Sequence, residues 1–412
     1  MQSSQTGGKR ILYVEEACGL GGSNFSVSNL ISGMSAKGHV CVLVLHFRNP
    51  EFERNMLPGI KVYHMREYCG HFLRNYLTGW RGLPKVTKAF KAILWGAVFA
   101  AEGIRRMALT YWIIRANRID IVHANNTLMM NRYAILAAKT AGVPCVCHVR
   151  EFETLSPYYK MLLKAATRII TVSKGVKDAY VQQRVVQETG TGDKFTIIYN
   201  GLTDDKLLFD YDGHRELRDE YKIGADTRAI GMVGMVTEWK GFHVFLDAAK
   251  LILEKDPDVV FFVVGETVTK DDDNYGDFLR SKAVELGISD KVIFTGLRID
   301  TRNVYASLDV VIHASLAPEP FGRVIIEAMA ASKPVVAVNS GGPAEIIRHG
   351  ETGLLYTCGD AADLSRQVLR LLADQNLCVD IGKNARKHVE ENFNINITIH
   401  ETEKVYDAVA SL

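Results

Sequence analysis

Short apolar, β-branched runs alternate with longer amphipathic segments along almost the whole chain. In the first half, the runs at Ile11–Val14, Val40–Leu45, Lys61–His64, Ile119–His123, Cys145–Val149, Arg168–Val172 and Phe195–Ile198 predict strands. Helix-length patterns lie between most of them, at Ser23–Lys37, Val86–Ala116 and Thr127–Ala141. The rhythm restarts after an Asn200-Gly201 turn and a polar stretch through Asp226. Strands are predicted at Ala229–Val233, Val259–Val264, Val292–Phe294, Val310–His313 and Pro334–Val338, and Phe242, Phe245, Ala249 and Ile252 share one face of the helix pattern after Gly241. Strands separated by helix-length segments pair in parallel through crossover helices. The pattern therefore predicts two doubly wound, Rossmann-like α/β domains, 1–200 and 201–394, with a helix at about 395–412 packing back on the first. Ligands of such sheets bind beyond the carboxyl ends of the strands, so the strand-end loops of two facing domains should line a cleft and carry the chemistry.

A chain of 412 residues has room for two or three domains, and 47% hydrophobic with 23% charged residues excludes disordered, collagen-like and disulfide-scaffold classes. Seven cysteines without a CxxC pair or zinc spacing predict reduced thiols and no metal. Met1–Arg10 is polar and lacks a signal-peptide core, and the apolar stretch Ala92–Ala101 has ten residues where a span needs about 20. The expected location is the cytoplasm.

Charge adds a further feature. The net value of +2 hides an asymmetry: residues 1–200 hold 26 Lys and Arg against 12 Asp and Glu, and the remainder hold 23 against 35. Between Arg74 and Arg118 there are nine basic residues and one acid, Glu102. There Lys85, Lys88 and Lys91 precede Ile93-Leu94-Trp95, and Arg105-Arg106 follow. These six residues, Lys85, Lys88, Lys91, Trp95, Arg105 and Arg106, are candidates to face an anionic membrane, peripherally and on its inner side; the alternative is a core helix with a solvated face. Nucleic acid is not an expected partner, because no recognised motif or aromatic stacking platform accompanies the charge. Asp271-Asp272-Asp273 reads as a solvated loop.

Several strand-end residues suit anion binding. Gly19-Leu20-Gly21-Gly22-Ser23 follows the first strand and opens a helix, a placement that lets backbone N–H groups approach a phosphate, although tight turns also use glycine for steric reasons. Lys240 and Arg323 each stand at the start of a helix, where the dipole already disfavours a cation. Two such cations in one domain point to a shared anion, most simply a diphosphate. Glu319 and Glu327 flank the Pro320–Gly322 turn, one in the loop and one a turn into the helix, and carboxylates suit sugar and ribose hydroxyls.

Taken together, Gly21-Gly22, Asp120–Asn125, His148, Val172-Ser173-Lys174, Ile198–Gly201, Gly234 with Lys240-Gly241, Thr295-Gly296, the Glu319/Glu327 segment and Ser340–Glu345 resemble the retaining, nucleotide-sugar-dependent glycosyltransferases of family 4, which have the two-domain GT-B fold. The resemblance implies that Lys240 contacts the donor diphosphate and that Glu327 binds the nucleotide ribose. It implies that Glu319, with the backbone of Phe321 and Gly322, holds the transferred sugar. His148 would project toward that sugar, and Gly22 would let its loop approach phosphate and acceptor. Catalytic roles then fall to His148, Lys240 and Glu319. Donor binding falls to Gly22, Gly234, Lys240, Glu319, Phe321, Gly322, Arg323 and Glu327. The expected partners are a nucleoside-diphosphate sugar and a glycan or lipid-linked acceptor, with no cofactor and no metal required. In one place the chain departs from the family, which carries Arg after the glycine matching Gly234 where this chain has Met235. Arg323 or Arg298 is the candidate replacement. A sugar-nucleotide binder with little turnover and a GT-B epimerase or phosphorylase remain as alternatives.

Overall fold

The computed structural model describes residues 8–16, 22–46, 53, 59–65, 85–213, 215–267 and 270–411. It divides into two compact units, Met1–Ile198 with Thr398–Leu412, and Tyr199–Ile397.

The first unit is built on strands β1 (Arg10–Glu15), β2 (Val40–Leu45), β3 (Lys61–His64), β4 (Ile121–Asn126), β5 (Cys145–Val149), β6 (Arg168–Thr171) and β7 (Phe195–Ile197). They form one parallel sheet in the order β3-β2-β1-β4-β5-β6-β7. The second unit carries β8 (Arg228–Val233), β9 (Val259–Val264), β10 (Val292–Gly296), β11 (Val310–His313), β12 (Val335–Val338) and β13 (Leu354–Tyr356), also parallel, in the order β10-β9-β8-β11-β12-β13. Central strands are buried along their whole length, as in Ile121–Asn126 and Val259–Val264. Two-sided burial explains why they read as continuous apolar runs without alternation.

Each sheet reverses its winding once, between β1 and β4 and between β8 and β11. At such a switch point the helices diverge to opposite faces and leave a crevice at the carboxyl ends. Register then decides which residues gather there. Glu15 lies opposite Asn125, and Asn125 opposite His148, so the three form one row on one face of the first sheet. The C-terminal helix Ile395–Ala410 belongs to the first unit from Thr398 onward. Its buried Tyr406 bonds the Tyr13 hydroxyl at 3.2 Å and lies 2.7 Å from His123 Nδ1.

Five local differences from the sequence expectations have physical causes. The strand expected at Ile119–His123 begins at Ile121 and runs on to Asn126. The helix expected from Thr127 begins at Arg132, because the Glu153 carboxylate accepts the Leu128 and Met129 N–H groups at 2.9 and 3.3 Å, and Asn131 bonds the Asn125 and Thr127 carbonyls. Those bonds hold 127–131 as a turn. Residues 271–273 are not a loop: their backbone lies in the first turn of the helix Lys270–Glu285, where acidic residues complement the dipole. The polar stretch after Gly201 contains the short helices Asp204–Leu207 and Glu216–Glu220, and β13 has no counterpart among the predicted strands; a three-residue run is too short to show a period.

Candidate functional site

Each unit carries candidate residues at the carboxyl edge of its own sheet. In the second, β8 ends at Val233, and Gly234 follows with φ 150°. The chain then turns through Glu238–Lys240 into the helix Phe242–Leu253. Gly241 makes that turn possible: its φ is 77°, and an added Cβ would lie 2.1 Å from the Ala314 carbonyl oxygen, so only glycine fits. The close approach brings Lys240 beside the segment after β11. There the Lys240 ammonium pairs with Glu319 Oε2 and also sits 4.0 Å from the Trp239 ring centroid. His313 Nε2 and Ser315 Oγ each lie 3.4 Å from the same carboxylate oxygen.

The turn Glu319–Gly322 is gripped from behind. Gly342 N–H donates to the Glu319 carbonyl at 2.8 Å, and a Cβ on Gly342 would fall 2.1 Å from the Phe321 oxygen. Phe321 is buried, with Tyr199 and Phe393 around it at 6.1 and 5.9 Å between ring centroids. Gly322, with φ 105°, caps the helix Arg323–Ala330. On that helix Arg323 Nη2 donates to Glu327 Oε1 at 3.1 Å. Lys206, from the helix Asp204–Leu207, reaches the same oxygen at 2.6 Å, and Tyr305 donates to Oε2 at 3.3 Å.

Burial alone would raise both carboxyl groups. The Lys240 charge and the bond from His313 instead pull Glu319 down to about 2, and Lys206 and Arg323 do the same for Glu327. This refines the electrostatic expectation. Lys240 and Arg323 do stand at helix starts, and the anions that compensate them are the chain's own Glu319 and Glu327. Arg298, the other candidate replacement, is held by Glu220 at 2.8 and 3.0 Å and by Asp300 at 3.1 Å. Met235 is 44% exposed and makes no charged contact of its own.

In the first unit the row across the carboxyl edge is continued by Arg150. Asn125 Nδ2 donates to Glu15 Oε2, Arg150 Nε donates to Asn125 Oδ1 at 2.7 Å, and Arg150 Nη2 donates to His148 Nδ1 at 3.4 Å. A guanidinium has no acceptor, so His148 Nδ1 supplies the lone pair and the imidazole proton sits on Nε2. His148 is buried, and its pKa lies well below the ordinary 6.5, first through burial and then through Arg150 and His123. Its Nε2 is buried without a hydrogen-bond partner among the described residues, as is that of His123, whose ring lies 5.5 Å away. Asn126 ends the strand with φ 101°, a strained backbone for a non-glycine residue. Gly22 is the first residue of the helix Gly22–Ala36, and its carbonyl accepts from Ser26 Oγ at 2.8 Å; residues 17–21 lie outside the described residues.

The membrane-facing set is corrected in one residue. Arg106 is 7% exposed and points into the unit, 3.0 Å from His46 Nδ1 and 3.0 Å from Glu102, with Glu16 at 3.7 Å. A helix of 32 residues, Lys85–Ala116, has to bury one face, and Arg106 lies on it beside Gly103 and Thr110. Arg105 is half-buried and bonds Glu102 at 2.8 Å. The side chains of Lys85, Lys88, Lys91 and Trp95 lie outside the described residues. Among the described residues no helix is long and apolar enough to cross a membrane, and no group of three His, Cys, Asp or Glu side chains is placed to hold a metal ion.

Sequence reasoning missed Lys206, Tyr305, His313 and Arg150. His313 and Arg150 carried the strand-end signal and were passed over. Nothing local marks Lys206, which meets Glu327 across 121 positions of chain.

Two family models match in succession: "Glycosyltransferase Family 4" over residues 20–206 and "Glycosyl transferases group 1" over 214–388. Between them they account for both units. The chain belongs to glycosyltransferase family 4. Among curated relatives, the putative glycosyltransferase YtcC of Bacillus subtilis is 28% identical over 311 residues, 72% of this chain and 74% of that protein. The Escherichia coli UDP-Gal:alpha-D-GlcNAc-diphosphoundecaprenol alpha-1,3-galactosyltransferase is 25% identical over 74% of this chain and 79% of its own. Anabaena Alr3699/HepE, solved with UDP and glucose, superposes with a TM-score of 0.73 at 22% identity, covering 96% of this chain and 99% of that one. This glycosyltransferase therefore has the GT-B fold, two parallel-sheet Rossmann-like domains.

Proposed function

We propose that this glycosyltransferase moves a sugar, with retention of anomeric configuration, from a nucleoside-diphosphate sugar to a hydroxyl of a glycan or lipid-linked acceptor in cell-surface polysaccharide or glycolipid synthesis. The observation that carries the reading is the pair of ion pairs at the two ends of segment 319–327, Lys240–Glu319 and Arg323–Glu327. Each joins a cation suited to a diphosphate with a carboxylate suited to hydroxyls. Lys240 and Arg323 bind the diphosphate beside Gly234 and the Gly322 turn. Glu327 takes the ribose, and Glu319 with Phe321 and Gly322 takes the sugar. When the bond to the anomeric carbon breaks, negative charge builds on the leaving phosphate. Cations held at the helix starts beside the leaving phosphate stabilise that state more than the ground state, which raises kcat. His148, neutral and carrying its proton on Nε2, offers that N–H to a sugar oxygen. We name no protein nucleophile and no metal.

The UDP complex of Anabaena Alr3699/HepE and the lipid-linked acceptor in the name of the Escherichia coli relative support donor and acceptor classes. Peripheral docking on the inner membrane face is supported by Ile104 and Trp112, 69% and 57% exposed on the helix Lys85–Ala116, with the exposed Arg115 beyond them. Met235 favours the second reading, donor binding with little turnover. The deciding experiment screens UDP, GDP and ADP sugars by thermal shift, then follows donor hydrolysis and transfer, with the product anomer assigned by NMR. Transfer with retention supports the proposal; binding without turnover over a broad acceptor panel supports the second reading; acceptor-free isomerisation or phosphorolysis sinks both.

A further inference from the structure

We infer that Lys206 is a positioning residue that frees Arg323 for the donor diphosphate by keeping Glu327 paired when Arg323 turns away. The inference rests on the reading above. It comes from counting what Glu327 can accept. A carboxylate offers about four lone-pair sites. On Oε1 two are taken, by Lys206 at 2.6 Å and Arg323 at 3.1 Å, and Tyr305 takes one on Oε2 at 3.3 Å. One site remains, and a ribose diol presents two O–H donors. The second hydroxyl is accommodated only when one cation leaves.

Geometry selects which one. Arg323 is the first residue of the helix Arg323–Ala330, at the end where the peptide dipoles attract an anion. Lys206 comes from another element, the helix Asp204–Leu207, whose backbone is tied there by the Tyr211 hydroxyl donating to the Lys206 carbonyl at 3.0 Å. Glu327 is 8% exposed, and a buried carboxylate stripped of its last cation is strongly destabilised. Without Lys206, Arg323 would be bound to Glu327 and withheld from the phosphates. With it, Arg323 can move, Oε1 regains an acceptor site for the diol, and the diphosphate gains a guanidinium.

The test uses calorimetric titration of the full chain with UDP, GDP and ADP. The diphosphate that binds best is carried forward with its monophosphate to Lys206→Met and Lys206→Arg. Lys206→Met should weaken the diphosphate about tenfold more than the monophosphate, because Arg323 stays on Glu327. Lys206→Arg should restore the diphosphate to within about threefold of wild type, since the charge is kept. Equal weakening of both nucleotides by Lys206→Met marks a structural role and overturns the inference alone, as does no weakening. If none of the three diphosphates binds wild type, the functional reading itself fails and the inference with it.

Discussion

The two sheets share a winding order and differ in what they bury at their carboxyl edges. The second unit buries charge: two carboxylates, each held ionised by a lysine from a separate element. The first unit buries a mixed set: the charged Glu15, Arg106 and Arg150 lie among the imidazoles of His46, His123 and His148, which burial and those arginines keep neutral, with the amide of Asn125 between Glu15 and Arg150. One topology thus presents two kinds of edge. Exchangeable ion pairs suit a ligand that brings its own charge and hydroxyls. Neutral imidazoles suit a ligand whose oxygens accept or donate single hydrogen bonds.

The sharpest way to break that contrast is Lys240→Met. Transfer should fall about 10²–10³-fold if the ammonium meets charge that develops only in the transition state; a loss under tenfold in kcat/KM would remove the second edge from the chemistry. Next comes the first unit. Arg106→Met removes the buried guanidinium that faces Glu16 and Glu102, the latter keeping Arg105, and should cost about 3 kcal/mol in denaturant unfolding. A cost below about 1 kcal/mol would show that Arg106 is solvated and restore it to the membrane face.

Acid should separate the units more gently. Burial, then the Arg106 or Arg150 charge, pushes His46 and His123 down to about 3, and His148 is lowered for the same reasons. A base with a depressed folded pKa takes up its proton mainly on unfolding. Its stability is therefore complete above about 6.5 and is lost as pH falls toward the folded value, at about 1.4 kcal/mol per pH unit for each histidine. Glu319 and Glu327, lowered from 4.5 to about 2, contribute stability that is complete above the ordinary value and lost between there and the folded one. In the second unit His243 and His388 are lowered by burial as well, and a shallower loss there is expected. Hydrogen exchange read by mass spectrometry at falling pH should show the first unit losing protection first; simultaneous loss would erase the distinction. The smallest effect is assigned to Met235→Arg, which should leave donor KM within about twofold if Arg323 already supplies the charge. A large improvement would mean that the clamp is incomplete.

Much of this was visible in the chain before any coordinates. Continuous runs such as Val259–Val264 announce strands buried on both faces, and Glu319, Glu327, Lys240 and the glycines around them mark a turn and two helix starts, because those features are local. The end of β4 was misplaced because Glu153, far along the chain, captures the amides that would have begun a helix. Arg106 was read as an outward cation because a run of basic residues around apolar ones does not say which face of a long helix the fold covers.

The sequence by itself determined the alternation, hence the parallel sheets, and the residue types at the strand ends, since propensity and periodicity act over a few neighbouring positions. Tertiary structure alone decided the pairing. Which lysine meets which carboxylate, which nitrogen of His148 holds the proton and which arginine turns inward are all contacts between distant segments. Such contacts are set by register and close packing, and no local pattern encodes them.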